Sequence, residues 1–358
     1  MKTVLVIPSS IESSLPLLEA AHKQGWKVIG ASADRKDPNA DFFDFWFQLP
    51  FIHTSEFPSA LEELVERFNI TKIWTSHAPT FLFLNSNKNL LPLGTALVQS
   101  APYQMQADLV SAALKAVDRQ QAEISFRAGM PSQYPPSFVA SLMTNAGNLF
   151  GECREEKGLG FCAALADAPK GDIVEIGSFF GKSAYLLNRI SAWNSLGATI
   201  VVDPWRLEES IQHDSPKLIQ NLSNVWDWDL VFQGFLITTA ASSAGTAFNY
   251  IRLPSEQAWV LYCRNRIISS REFGNTTTSG EITLLHIDGN HDKSKVNQDF
   301  GLWSQRLADG GWIVFDDYEW SSGDGPRIVA DNARKALGDR VTREFVSGGA
   351  LFLKVTGT

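Results

Sequence analysis

Residues 172–203, DIVEIGSFFGKSAYLLNRISAWNSLGATIVVD, decide the fold. The run 172–176 (DIVEI) reads as a strand in a mostly apolar context. The turn G-S-F-F-G-K-S follows. Gly177 and Gly181 sit in it, where backbone must approach a ligand closely. Residues 183–192 (SAYLLNRISA) read as a helix whose N-terminus offers free N–H groups. Residues 199–203 (TIVVD) form the next strand and end in Asp203. An acid at the end of a second strand is placed to accept hydrogen bonds from ribose hydroxyls. Asp203 lies 22 residues after Gly181, close to the spacing of about 20 seen for such a partner.

The chain beyond Asp203 continues the same alternation. Residues 247–252 (AFNYIR) read as strand three and are followed by L-P-S-E-Q. Residues 282–287 (ITLLHI) read as strand four and end in Asp288. Residues 294–307 read as a helix. Residues 311–315 (GWIVF) read as strand five and end in Asp316 and Asp317. A helix is expected over 326–337. The runs 341–346 (VTREFV) and 350–355 (ALFLKV) flank S-G-G, and Gly348 and Gly349 suit a tight reversal. The expectation is a mostly parallel sheet closed by an antiparallel hairpin.

The form E-x-G-x-x-x-G-x-S, from Glu175 to Ser183, resembles class I S-adenosylmethionine-dependent methyltransferases. The resemblance implies an α/β fold with a Rossmann-like seven-stranded sheet and an antiparallel C-terminal hairpin. It implies S-adenosylmethionine as the methyl donor. Glu175, Gly177, Ser178, Gly181 and Ser183 would form the donor turn, Asp203 would hold the ribose, and Ser255 and Glu256 would meet the adenine. Asp288 would border the same site. The run LLHIDGNHDKSKVNQDFGLWSQRLADGGWIVFDDY resembles a bacterial branch of the class that carries I-D-G-x-H and D-D-Y. Here these are Ile287-Asp288-Gly289-Asn290-His291 and Asp316-Asp317-Tyr318.

Asp288, Asp316 and Asp317 fall at the C-terminal ends of adjacent strands, the edge where open α/β sheets bind ligands. Three hard oxygen donors without cysteine suit Mg²⁺, with Mn²⁺ or Ca²⁺ as alternatives. The 28-residue spacing from Asp288 to Asp316 is similar to that of metal-dependent catechol-type O-methyltransferases. In that group a lysine base stands where this chain has His291, and Asp317 replaces the frequent asparagine. A histidine there could take a hydroxyl proton near neutral pH. Loop or helix capping by the carboxylates is the plainer alternative.

The N-terminal third reads as a smaller α/β domain. Strands are expected at 3–7, 26–31 and 71–75, with helices at 15–24 and 58–69, which implies a parallel, doubly wound sheet. Its first turn, PSSIESS, lacks the G-x-G-x-x-G fingerprint. VLVIPSS, GWKVIGASAD and DPNADFFDFWFQLP resemble the Rossmann-like domain that precedes the ATP-binding region of ATP-grasp enzymes. No ATP-grasp catalytic region follows, so a docking or substrate-presenting role is expected. A helix over 104–128 ends at PSQYPP (131–136), and the domains are expected at 1–130 and 131–358.

The whole chain has 358 residues, enough for two domains. Its net charge of -8 argues against a nonspecific nucleic-acid or membrane-surface binder. Cys153, Cys162 and Cys263 form no C-x-x-C pair, which argues against a disulfide framework or structural zinc. The first residues are too short an apolar run for a signal peptide, and no run is long enough for a membrane span. A cytoplasmic protein is expected, and a homo-oligomer is compatible with the sequence. Residues 204–246 carry Trp205, His213, Trp226, Trp228, Phe232 and Phe235, which either cap a substrate or pack a core. Residues 256–281, with N-T-T-T-S-G, read as a flexible surface loop that could act as a lid. The expected activity is metal-assisted O-methylation of a hydroxylated small molecule or sugar. The competing readings are a noncatalytic S-adenosylmethionine-binding or scaffold protein, and an N-methyl or hydroxylase-like variant of the same site.

Overall fold

The computed structural model describes residues 2–99 and 102–357. The chain forms two compact units, Met1–Ala112 and Ala113–Thr358. The first unit runs β1 (Thr3–Val6), α1 (Leu15–Lys23), β2 (Lys27–Ser32), β3 (Phe45–Gln48), α2 (Phe57–Phe68), β4 (Lys72–Thr75), α3 (Ala78–Ser86) and β5 (Ala96–Gln99). Its strands lie in the order β3-β2-β1-β4-β5, all parallel. The expected doubly wound sheet is present. Strands β3 and β5 and helix α3 were not legible. β3 is FWFQ and is only half-buried, so it shows no alternation of apolar and polar residues.

Helix α4 (Pro102–Ala128) spans the division between the units. The stretch 131–136, expected to break this helix, follows its end and packs into the second unit: the Tyr134 ring is buried in that unit's core, and its hydroxyl donates to the Cys162 carbonyl at 3.0 Å.

The second unit continues with α5 (Pro136–Gly147), α6 (Glu155–Leu165), β6 (Asp172–Ile176), α7 (Lys182–Asn194), β7 (Thr199–Val202), α8 (Leu207–Ser210), α9 (Lys217–Leu222), α10 (Trp228–Thr239), β8 (Phe248–Ile251) and α11 (Ser255–Arg264). A separate hairpin follows, β9 (Ile267–Ser270) and β10 (Gly274–Thr277). Then come β11 (Ile282–Ile287), α12 (Lys293–Trp303), β12 (Leu307–Phe315), α13 (Gly325–Leu337), β13 (Val341–Ser347) and β14 (Ala350–Val355). The seven-stranded sheet has the order β13-β14-β12-β11-β6-β7-β8. Among the described strands of this sheet, β14 alone runs opposite to the rest, as the S-G-G reversal predicts. Each face is covered by helices over an apolar layer, one centred on Phe161, Leu187 and Trp312, the other on Ile200, Ile313 and Trp303.

The register of this sheet positions the site. Ile176 pairs with Val202 and Ile287, Ile287 pairs with Phe315, and Val202 pairs with Ile251. The residues that follow, Gly177, Asp203, Asp288 and Asp316, therefore leave the sheet side by side. Residues 256–281 are not a lid. They form α11 and the β9–β10 hairpin, and the Ser279 and Gly280 N–H groups donate to Asp172 at 3.1 and 3.0 Å. Asp172 opens β6, so this segment is tied to the opposite edge of the sheet.

Candidate functional site

A cavity of about 340 Å³ opens at the C-terminal edge of β6, β7, β8 and β11. That is within the range of small-molecule sites. Gly177, Ser178, Ser183, Asp203, Ser255, Glu256, Asp288, His291 and Asp317 line it. Glu175, Gly181 and Asp316, also expected at the site, lie behind its wall.

The glycine turn is built from strand geometry. Gly177 has φ +80°, and a Cβ there would lie 2.1 Å from the Asp288 carbonyl oxygen. Only glycine lets β6 and β11 leave the sheet this close together. Gly181, at φ +87°, caps α7, and a Cβ would meet the Phe235 ring at 2.9 Å. Glu175 supports the turn from beneath: its Oε2 accepts from Ser178 Oγ at 2.7 Å. Asp203 shapes it from the side. Its Oδ2 accepts from Ser178 N and Phe179 N at 2.9 and 3.2 Å, and its Oδ1 from Trp205 N at 2.7 Å. A carboxylate has about four acceptor positions, so about one remains for a ligand. Burial raises the Asp203 pKa and outweighs these hydrogen bonds.

In the same cavity wall, Asp288, His291 and Asp317 present donor atoms within 4.8 Å of one another. His291 Nε2 lies 3.1 Å from Asp317 Oδ2. Its Nδ1 is buried and has no hydrogen-bond partner among the described residues. The Trp320 ring packs edge-on against the imidazole at 4.8 Å. Burial lowers the His291 pKa despite the acids around it, which favours the neutral imidazole. Burial raises the pKa of Asp317. Burial and the neighbouring Asp316 hold Asp288 well above the carboxylate range.

Asp316 does not join this group. It is 3% exposed and bonded to Lys157, itself 3% exposed. Burial opposes charge on both, but their mutual attraction prevails: Lys157 is held well above its ordinary value and Asp316 well below. His286 is fully buried between Glu175 Oε1 at 3.1 Å and Asp316 Oδ2 at 3.4 Å. The three carboxylates expected to share a metal fall into two groups that have Asp288 in common, Asp288 with His291 and Asp317, and Asp288 with His286 and Asp316. Asp288 and Asp317 face the cavity, while Asp316 is neutralised by a lysine. By donor type the cavity-facing set Asp288, His291 and Asp317 matches a divalent-cation site, but the Lys157 ammonium already stands 3.8 Å from Asp288 Oδ2.

The I-D-G-N-H-D run has a further role that its spacing did not show. Asn290 Nδ2 donates to the Glu209 and Ile211 carbonyls at 3.0 and 2.8 Å, and Asp292 accepts from the His213 and Asp214 N–H groups at 2.9 and 2.7 Å. These bonds fasten the segment after β7 over the cavity. The aromatics of 204–246 divide between both expected uses. Trp205, Phe232 and Phe235 pack a core, while Trp226 and Trp228 line the cavity. Phe150 and Phe179 join Trp226 there, with ring centroids 5.1–6.1 Å apart. His213 contributes its backbone. Lys157, His286 and Asp299 were not foreseen. Asp299, on α12, lines the cavity at 5% exposure, and burial pushes its carboxyl up to about 7.

No helix among the described residues is long and apolar enough to cross a membrane. Comparison with known proteins gives the following likenesses. An uncharacterized protein of Acanthamoeba polyphaga mimivirus is 43% identical over 61 residues, 15% of this chain. The match spans just over a quarter, 28%, of that relative's length. The solved structure of the O-methyltransferase NovP is 12% identical, covers 68% of this chain and 99% of its own, and has a TM-score of 0.39. That of the calicheamicin methyltransferase CalS11 is 13% identical, covers 85% and 95%, and has a TM-score of 0.37. A family model described as a methyltransferase domain matches residues 174–318. That stretch begins in β6 and ends at Tyr318, and so takes in the glycine turn, Asp203, Asp288, His291 and the Asp316-Asp317 corner.

Proposed function

We propose that the second unit transfers a methyl group from S-adenosylmethionine to a hydroxyl of a small molecule or sugar. The observation that carries this reading is one continuous cavity lined both by the Gly177 turn, Asp203, Ser255 and Glu256 and by Asp288, His291 and Asp317. The methionine portion would lie on the turn, the ribose against Asp203 and the adenine beside Ser255 and Glu256.

The sulfonium methyl is already electrophilic, so the protein has to align an oxygen behind it and remove a proton. Alignment alone can contribute roughly 7–11 kcal/mol. His291, held by Asp317 and neutral at physiological pH, accepts the hydroxyl proton. Phe150, Phe179 and Trp226 offer ring faces and edges that fit an apolar or sugar ring. The segment fastened by Asn290 and Asp292 excludes water.

A second reading adds Mg²⁺, favoured by the cavity-facing donor set. Asp288, His291 and Asp317 would hold the ion, and it would lower the pKa of the acceptor hydroxyl. In that case His291 is a ligand and not the base.

The test is calorimetric titration of the full chain with S-adenosylmethionine, with and without Mg²⁺. Micromolar binding, about -8 kcal/mol, is expected without added metal. An absence of binding under both conditions would reject the donor site. Transfer of labelled methyl to oxygen, read by product mass across a panel of hydroxylated acceptors, then tests the reaction class.

A further inference from the structure

Beneath the cavity floor lies a set of charges that the proposed reaction does not use. Lys157 enters from α6, the helix that precedes β6. Its ammonium is bonded to Asp316 and lies 3.8 Å from Asp288 Oδ2. Its backbone is locked against the β13–β14 turn. Ser347 Oγ donates to the Glu156 carbonyl at 2.6 Å, and a Cβ on Gly348 would lie 2.5 Å from Lys157 N. The backbone at Lys157 therefore cannot shift without unpacking that turn. On the far side of Asp316 stands His286, and beyond it Glu175.

These positions matter because Asp288 and Asp316 follow paired residues of β11 and β12. Two carboxylates so placed repel each other unless a positive charge or a shared proton stands between them. Here the chain provides that charge itself. An incoming divalent ion would have to share Asp288 with a lysine ammonium already within 4 Å of it, and like charges at that range repel strongly in a partly buried setting.

We propose that Lys157 is the resident cation of this site: by standing on Asp316 and beside Asp288 it takes over the charge-balancing role of a divalent metal, so the chain binds its methyl donor without one. The donor clause rests on the reading given above; the charge-balancing clause does not. Lys157 is a positioning residue, holding Asp288 at the cavity wall.

The test uses the full chain and Mn²⁺ as the probe, with free Mn²⁺ read by electron paramagnetic resonance. Wild type is expected to leave Mn²⁺ free and to bind S-adenosylhomocysteine equally with chelator or with Mg²⁺. Lys157→Gln removes the charge and keeps much of the length. It is expected to lose roughly 10 °C in Tm, as for a buried ion pair broken from one side, to gain Mn²⁺ binding, and to recover part of the lost Tm when Mg²⁺ or Mn²⁺ is added. Stoichiometric Mn²⁺ on wild type, or donor binding abolished by chelator, would overturn the proposal. So would a folded Lys157→Gln that binds no Mn²⁺ and whose Tm ignores metal. If Lys157→Gln does not fold, the Lys157→Met/Asp316→Leu pair, expected to fold with no Mn²⁺ bound, is compared with wild type, and Mn²⁺ on either overturns the proposal. If wild type binds no S-adenosylhomocysteine under any condition, the donor reading fails, and the Mn²⁺ and Tm results still judge Lys157.

Discussion

Asp37 in the first unit and Asp203 in the second both follow the second strand of their unit's sheet, and each accepts three hydrogen bonds. Asp37 takes the Ser9 hydroxyl, the Trp46 indole N–H at 2.8 Å and the Asn39 N–H at 2.8 Å. Asn39 in turn donates to the Ser9 carbonyl at 2.8 Å. That corner closes on itself through side chains. Asp203 is satisfied only by backbone N–H groups of a glycine turn and of Trp205, and it borders a cavity. In the same cavity wall the His291 Nδ1 has no partner among the described residues. The same fold logic thus produces a structural corner in one unit and a candidate site in the other. A chain alternation of strands and helices specifies the sheet edge; which side chains remain available there specifies whether chemistry is possible.

This contrast can be broken most directly at His291. His291→Ala is expected to lower turnover by about 10²–10⁴ while donor affinity, read by calorimetry, stays within about twofold. Unaltered turnover would remove it as the base. Glycines sharpen the contrast next. Gly177→Ala places a methyl against the Asp288 carbonyl at positive φ, and a loss of at least about 3 kcal/mol of stability or of donor binding is expected. Gly25→Ala, also at positive φ (+68°) but with nothing within 4 Å, should cost only about 1 kcal/mol in thermal unfolding. Similar losses at both positions would mean that φ alone, and not the close approach of β6 to β11, makes Gly177 necessary.

Asp203→Ala should weaken S-adenosylhomocysteine binding by about 2 kcal/mol, roughly thirtyfold in Kd. Asp37→Ala should destabilise its own unit and leave that Kd alone. Equal effects on donor binding would erase the distinction between the two acids. The smallest effect concerns Asp299. Burial raises its folded pKa to about 7, above the unfolded carboxyl value, so the neutral form is preferred. Its contribution to stability is full at acid pH and is lost as pH rises through about 7. Asp299→Asn should therefore gain about 1–2 kcal/mol relative to wild type between pH 5 and 8. A constant difference across that range would show that the carboxyl does not titrate there.

What could be read ahead of the structure follows the range of the interactions concerned. The β6-turn-α7-β7 unit was legible because strand, glycine turn and helix are neighbours in sequence. Asp288 and Asp316 were legible because each ends an apolar strand. Lys157 was not. In the run EEKGLGFCAAL it looks like one more charge in the first turn of a helix, and its partner Asp316 is 159 residues away. Glu175, expected in the donor turn, lies in β6 one residue from its end, and its carboxylate reaches Ser178 and His286 from beneath the turn. The N-T-T-T-S-G stretch looked loose because its composition is polar, but Asp172 and the β9–β10 pairing hold it.

By itself, then, the amino-acid sequence determined the alternation of strands and helices, the antiparallel closing hairpin, the glycine turn and the acids at strand ends, since each depends on local backbone preference and apolar patterning. Only the tertiary structure decided that Asp317 and not Asp316 reaches the cavity with Asp288 and His291, that a buried lysine balances Asp316, and that the division between units falls within α4. Those outcomes depend on which distant side chains share a low-dielectric interior, where a charge must find its partner whatever the separation along the chain.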